Sequence, residues 1–207
     1  MDTNKNFVVT INRELGTGGR TIGKKLAERL GVNFYDKVAI SSLVEHFHLS
    51  VDEIENIKAK KSHWWDNISA FYMDRYRVDN AMILADKVTT EQMFQVESEV
   101  IRSIADNESC VIAGRSAFCI LKDHPNCFKI LIESSMETRV ARLVKRQNVT
   151  EDQALETIKK VDEGRENYTK KFAGTSRYDA RNYDLVLNVS HLSEEQAVDV
   201  IYSVLKL

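Results

Sequence analysis

Thr10-Ile-Asn-Arg-Glu-Leu-Gly-Thr-Gly-Gly-Arg-Thr-Ile22 is the stretch that decides the reading of this chain. An apolar run, Phe7-Val8-Val9-Thr10-Ile11, leads into it and reads as a strand. Three glycines in four positions, Gly16, Gly18 and Gly19, then make a loop. The loop opens onto an amphipathic helix with Ile22, Leu26 and Leu30 at helical spacing and Gly31 as its C-cap. Strand, glycine loop and helix N-terminus together form the layout of a phosphate cradle. Glycines let backbone N–H groups approach an anion, and the helix end adds positive potential.

The phosphate-loop pattern G-x-x-x-x-G-K-[ST] fits this stretch imperfectly and in two registers. One puts Gly19-Arg20-Thr21 at its end, with Glu14 at the first glycine and Arg20 at the lysine. The other, aligned on the apolar face of the helix, puts Gly19 at the lysine. The first is preferred because it keeps a cation and a hydroxyl at the helix start. Gly16, Thr17, Gly18, Gly19, Arg20 and Thr21 then surround the phosphates. Arg20 grips them with a planar fork instead of a point charge, and Thr21 offers an oxygen to magnesium. Should Arg20 not serve, Arg13, Lys24 or Arg115 is the next candidate. An ordinary glycine-rich turn with no ligand would carry the same residues.

The chain has 207 residues, with 29 basic and 31 acidic side chains and a formal net charge of −2. That length suits one medium domain, with or without an inserted lobe. The lack of a basic excess argues against nucleic acid as a partner. No apolar run approaches membrane-spanning length, and the N-terminus has no signal-peptide core. The expectation is a cytoplasmic protein without a membrane partner. Cys110, Cys119 and Cys127 lack metal-ligand spacing and read as reduced thiols.

Further strands are expected near 33–35, 109–113, 128–133 and 185–188. Thr150 with Gln153, and Ser193 with Gln196, fit the capping box that opens a helix. Strands alternating with helices imply a parallel sheet covered on both faces. Residues 38–106 are too many for one crossover. They are expected to form helices at 38–47, 51–61, 64–88 and 91–106, a helical lobe inserted into the α/β core. Trp64, Trp65, Phe71, Tyr72 and Tyr76 would be that lobe's own core.

Arginines recur where such a sheet presents its ligand edge, beyond the carboxyl ends of the strands. Gly114-Arg115 follows the third strand. Arg139, Arg142 and Arg146 share one helix face at i, i+3 and i+7, opposite Met136, Val140, Leu143 and Val144. The next helix carries Asp162, Arg165 and Tyr168, and ends in a polar, basic segment, 170–177, that reads as a mobile lid. This set suits phosphoryl transfer, in which several cations neutralise charge spread over three oxygens. A monophosphate acceptor is already anionic, so no general base is required.

The chain resembles the cytidylate kinase-like family, relatives of the bacterial cytidylate kinases among P-loop nucleoside monophosphate kinases. The residues that carry the resemblance are Ile11–Arg20, Phe34-Tyr-Asp36, Val111-Ile-Ala-Gly-Arg115, Arg139 with Arg142, Asp162-Glu-Gly-Arg-Glu-Asn-Tyr168 and Asn182-Tyr-Asp-Leu-Val-Leu-Asn188. The resemblance implies a three-layer α/β/α core with a five-stranded parallel sheet, an acceptor-binding lobe at 38–106 and a lid at about 145–182. It implies transfer of the γ-phosphate of ATP, with magnesium, to a pyrimidine monophosphate such as CMP. By position, Asp36 and Arg115 would contact the acceptor. Arg139, Arg142 and Arg165, with Arg20, would be the catalytic arginines. The expectation leaves room for a homo-oligomer. Two departures stand out: the loop lysine is absent, and Ala113-Gly114-Arg115-Ser116 replaces the Asp-Gly-Arg-Asp of the bacterial enzymes. A weakly active or inactive nucleotide-binding regulator, or a kinase of a non-nucleotide metabolite, are the alternatives.

Overall fold

The computed structural model describes residues 1–2, 4–46 and 91–205. Five strands form one parallel sheet in the order β2-β3-β1-β4-β5. These are β1 (Val8–Arg13), β2 (Asn33–Asp36), β3 (Cys110–Ala113), β4 (Cys127–Glu133) and β5 (Leu185–Asn188). β1 is central, with Ile11 beside Ala113 of β3 and Arg13 beside Ile132 of β4. Side chains alternate across the sheet, so each central strand feeds two cores. Val8, Cys110 and Ile112 face one side; Val9, Ile11, Val111, Ile130 and Ile132 face the other.

The second side is covered by α1 (Gly19–Leu30) and α7 (Glu194–Leu205), through Ile22, Leu26, Ala197 and Ile201. Gly31 ends α1 in the left-handed conformation, as the sequence predicts. The first side is covered by α2 (Lys37–His46), α3 (Glu91–Asn107) and the short α4 (Ala117–Ile120). Ala39, Ile40 and Leu43 of α2 pack with Val100, Ile101 and Ile104 of α3. Residues 38–46 and 91–106 were expected in an inserted lobe. Their apolar faces instead complete the sheet's own core. The helices expected at 51–61 and 64–88, and the Trp64, Trp65, Phe71, Tyr72 and Tyr76 cluster, lie outside the described residues.

α5 (Met136–Gln147) and α6 (Glu151–Ala173) form a pair beside the glycine loop, with Leu143, Ala154 and Ile158 packed against Leu15. Thr150 and Gln153 make the full reciprocal capping box at the start of α6. Ser193 and Gln196 exchange the same two bonds at the start of α7. The segment read as a mobile lid is tethered at its far end. Gly174 caps α6, and Arg177 is buried at 1% exposure.

Ile104 is fully buried between α3 and the sheet. Ile104→Ala is expected to destabilise the fold by about 2–5 kcal/mol. Urea unfolding measures this, and a change below about 0.5 kcal/mol would show that α3 is not part of the core.

Candidate functional site

The glycine loop joins β1 to α1 at the carboxyl end of the central strand. Gly16 and Gly18 have φ of 89° and 77°, a region that costs other residues energy. A Cβ at Gly16 would come within 2.9 Å of the Arg139 Cβ, so close packing also demands glycine there. The Thr17 hydroxyl tightens the turn, donating to the Glu14 carbonyl at 2.9 Å and accepting from the Gly19 N–H at 3.3 Å. Ile22 N–H donates to the Gly18 carbonyl, which starts the helix. Among the described residues, the N–H groups of Gly16, Thr17 and Gly18 have no acceptor. The loop thus leaves donors for an anion, at the positive end of α1.

Asp162 of α6 holds the loop from behind. Its Oδ1 accepts the Leu15 N–H at 2.9 Å, and Arg139 pairs with its Oδ2. Arg139 also donates to the Leu15 carbonyl at 2.8 Å and pairs with Glu14 at 3.2 Å. Arg139 is only 4% exposed, and its donors are taken. In this structure Arg139 is a staple of the loop, with each guanidinium nitrogen engaged by Leu15, Glu14 or Asp162. Of the stripe, Arg139 is set apart by burial, whereas Arg142 and Arg146 line one open cavity with Thr21. Burial raises the Glu14 carboxyl above its usual range, against the pull of Arg139.

Arg142 lies over Gly18. A Cβ at Gly18 would strike its Nη1, and Nη1 pairs with Glu194 Oε1 at 2.7 Å. Arg165 donates to the Arg13 carbonyl at 3.1 Å and to Asp162 at 3.4 Å. Arg177, unassigned by the sequence beyond its place before β5, also donates to the Arg13 carbonyl and to Asn12 Oδ1. Arg13, Arg165 and Arg177 are thereby crowded at the end of β1. Burial, Arg165 and Arg177 push the Arg13 guanidinium down to about 9, and burial with Arg177 takes Arg165 to about 10. Cations so destabilised are receptive to an anion.

Arg20 does not turn toward the loop in this arrangement. It is the second residue of α1, and its Nε donates to Asp36 Oδ2 at 2.6 Å. Asp36 Oδ1 meanwhile accepts the Val38 and Ala39 N–H groups and caps α2. Arg115 also has a partner, Glu97 of α3, with both side chains buried. Its guanidinium stacks 4.9 Å over the Tyr168 ring. Gly114, Arg115 and Ser116 all have positive φ, which aims this turn sharply at the end of β3. Glu97 was not singled out in the sequence; its only signal is a carboxylate at a core-facing position of α3. The Arg115 Nε and the Tyr168 hydroxyl are buried without a partner among the described residues.

Thr21 lines an open cavity of about 580 Å³ between α1, α5 and α7, with Arg142, Lys145 and Glu194. Another cavity of about 530 Å³, walled by Phe94, Phe118, Phe172 and Tyr183, contains none of the loop residues. Among the described residues no cluster of three His, Cys, Asp or Glu side chains could hold a metal. No described helix is long and apolar enough to cross a membrane.

The family model described as the cytidylate kinase-like family matches residues 8–191. The chain belongs to that family. A cytidylate kinase from Caldanaerobacter subterraneus subsp. tengcongensis is 25% identical, over 96% of this chain and 94% of that protein. An uncharacterized protein from Eubacterium ventriosum has a solved structure with a TM-score of 0.69 and 25% identity, covering 97% of this chain and 99% of that one. The shikimate kinase of Bacteroides thetaiotaomicron shares the fold, with a TM-score of 0.52, 17% identity and coverage of 97% and 99%. This member of the cytidylate kinase-like family thus has the sheet of a P-loop kinase, with a glycine loop at the end of its central strand that departs from the usual pattern.

Asp162→Ala would leave Arg139, Arg165 and Arg177 without their shared carboxylate. It is expected to cost about 3–5 kcal/mol in chemical denaturation. Arg142→Ala breaks a partly exposed pair and is expected to cost less than about 1 kcal/mol. Equal losses for the two variants would contradict the staple role of Asp162.

Proposed function

We propose that this protein transfers the γ-phosphate of ATP to a small acceptor, with a nucleoside monophosphate of the CMP kind as the foremost candidate. The observation that carries this reading is the convergence of unbonded loop amides with Arg13, Arg165 and Arg142 at the end of β1. Backbone donors and fixed cations of that kind stabilise charge without reorganising. The curated relative named cytidylate kinase supports CMP as acceptor.

The residues present fit ATP and magnesium. The amides of Gly16, Thr17 and Gly18 would hold the phosphates, with Gly19, Arg20 and Thr21 opening the helix beneath them. The cavity beside Thr21 is of a size to take a nucleoside. Thr21 would lend its hydroxyl to magnesium, which arrives with the nucleotide and neutralises its phosphate oxygens. Arg142 would leave Glu194 for the phosphates as they enter over Gly18. Arg165 would face the group in flight. The acceptor would lie between Asp36 and Arg115, in the crevice beyond β2 and β3.

A second reading, a regulatory nucleotide binder, draws support from the acceptor side. There Arg20 is tied to Asp36 and Arg115 to Glu97, so both cations are already neutralised.

MgATP at about 100 times its Kd is expected to add about 2.7 kcal/mol of stability, read as a rise in Tm. No rise with ATP, ADP or inorganic phosphate would end the phosphate-cradle reading. A panel of monophosphates and small metabolites with MgATP, read by ADP release, identifies the acceptor. With that acceptor, Arg165→Ala is expected to lower turnover by about 10³-fold while changing ATP affinity far less. ATP binding with no turnover on any acceptor would favour the regulator.

A further inference from the structure

α1 begins at Gly19, with Gly18 as its N-cap. The residue that opens the helix after the loop's last left-handed glycine is where a phosphate-loop lysine stands, directly after the final glycine of G-x-x-x-x-G-K-[ST]. Here that residue has no side chain. The space its side chain would enter is already filled. A Cβ built on Gly19 would lie 2.7 Å from the Arg13 Cβ and 2.8 Å from its Cγ. The Arg13 stem therefore runs where a residue-19 side chain would leave the backbone. Its guanidinium continues to the turn after β3, where a Cβ on Gly114 would collide with Nη1. Two glycines thus flank one arginine, one at its stem and one at its head.

The other arginines around the loop are engaged. Arg20 bonds to Asp36, Arg115 to Glu97, Arg139 to Glu14 and Asp162, Arg142 to Glu194, and Arg165 and Arg177 to Asp162. Among the described residues the Arg13 guanidinium has no carboxylate and no hydrogen-bond acceptor. Its nearest charged neighbours include Arg165, Arg177 and Arg20, with Asp36 the opposing charge. A half-buried cation among cations is unfavourable in the absence of an anion, and the unbonded amides of Gly16, Thr17 and Gly18 face the same need.

We infer that Arg13, delivered from the end of β1 across the side-chain-free Gly19, supplies the cation that a phosphate-loop lysine supplies elsewhere, gripping the β- and γ-phosphates of the donor nucleotide. This rests on the ATP-binding reading above and changes its assignment of the loop cation from Arg20 to Arg13. Arg20 is left to orient Asp36. Arg13 is the better placed because its head is free and its stem needs Gly19, whereas Arg20 begins one residue further into the helix and is spent on Asp36.

The test starts with MgATP binding to the wild-type protein by calorimetry. Failure there ends the ATP-binding reading itself, and this inference with it, whatever the variants do. With wild-type binding in hand, Arg13→Met is expected to raise the Kd for MgATP about 10- to 100-fold, the value of one or two hydrogen bonds to a charged group. Its Tm without ligand should stay the same or rise, because an unpaired cation has been removed. The double variant Arg13→Gly with Gly19→Lys, which clears the stem and puts a lysine at the helix start, should regain most of the affinity lost by Arg13→Gly alone. Arg20→Met should affect MgATP affinity less than Arg13→Met. Wild-type affinity in Arg13→Met overturns the inference. So does a loss of affinity accompanied by a lower unliganded Tm and no recovery in the double variant, which would make Arg13 part of the scaffold.

Discussion

Asp162 ties three parts of the molecule to one carboxylate. One oxygen accepts the Leu15 N–H of the glycine loop, and the pair of them faces Arg139, Arg165 and Arg177. Nothing local to the loop could do this, because its own residues are needed with their amides free. The carboxylate is carried instead by α6, a 23-residue helix entered through a capping box and ended by a left-handed glycine. The loop's shape is therefore set by a residue 147 positions away in the chain. Such buried networks rigidify when every member is satisfied. Here the satisfied members, Arg139 and Arg177, hold the backbone on which the less satisfied ones stand.

That division sorts the arginines better than their spacing does. On the β2 and β3 side, each cation comes with its own carboxylate, Arg20 with Asp36 and Arg115 with Glu97. At the end of β1, positive charge exceeds its local compensation. The site is electrostatically lopsided, positive at the glycine loop and close to balance at the crevice beyond it.

The fold was largely legible because local signals agreed with one another. Apolar runs of strand length, Gly31 as a stop and the Thr150 and Ser193 capping boxes all report short-range physics, and all appear in the structure. The site was legible only in outline. The helical spacing of Arg139, Arg142 and Arg146 says that they share a face, but not that Leu15 folds back against that face and buries its first member. The choice between Arg20 and Arg13 turns on where α1 starts, to within one residue, and pattern alone fixes helix ends poorly. Glu97 offered only a carboxylate at a core-facing position of α3, since its partner lies on another element. The 38–106 stretch reads as an insert by length, yet α2 and α3 at its two ends are core helices, because sequence periodicity shows that a face is apolar without showing what it meets.

Gly19 and Gly114 take on a further meaning beside Arg13. The two positions differ in what they tolerate: a methyl group at 114 meets the mobile tip of the arginine, whereas one at 19 meets its root, which cannot swing away. Changes at residues 13, 19 and 114 should thus be strongly epistatic, each acceptable or ruinous according to the other two.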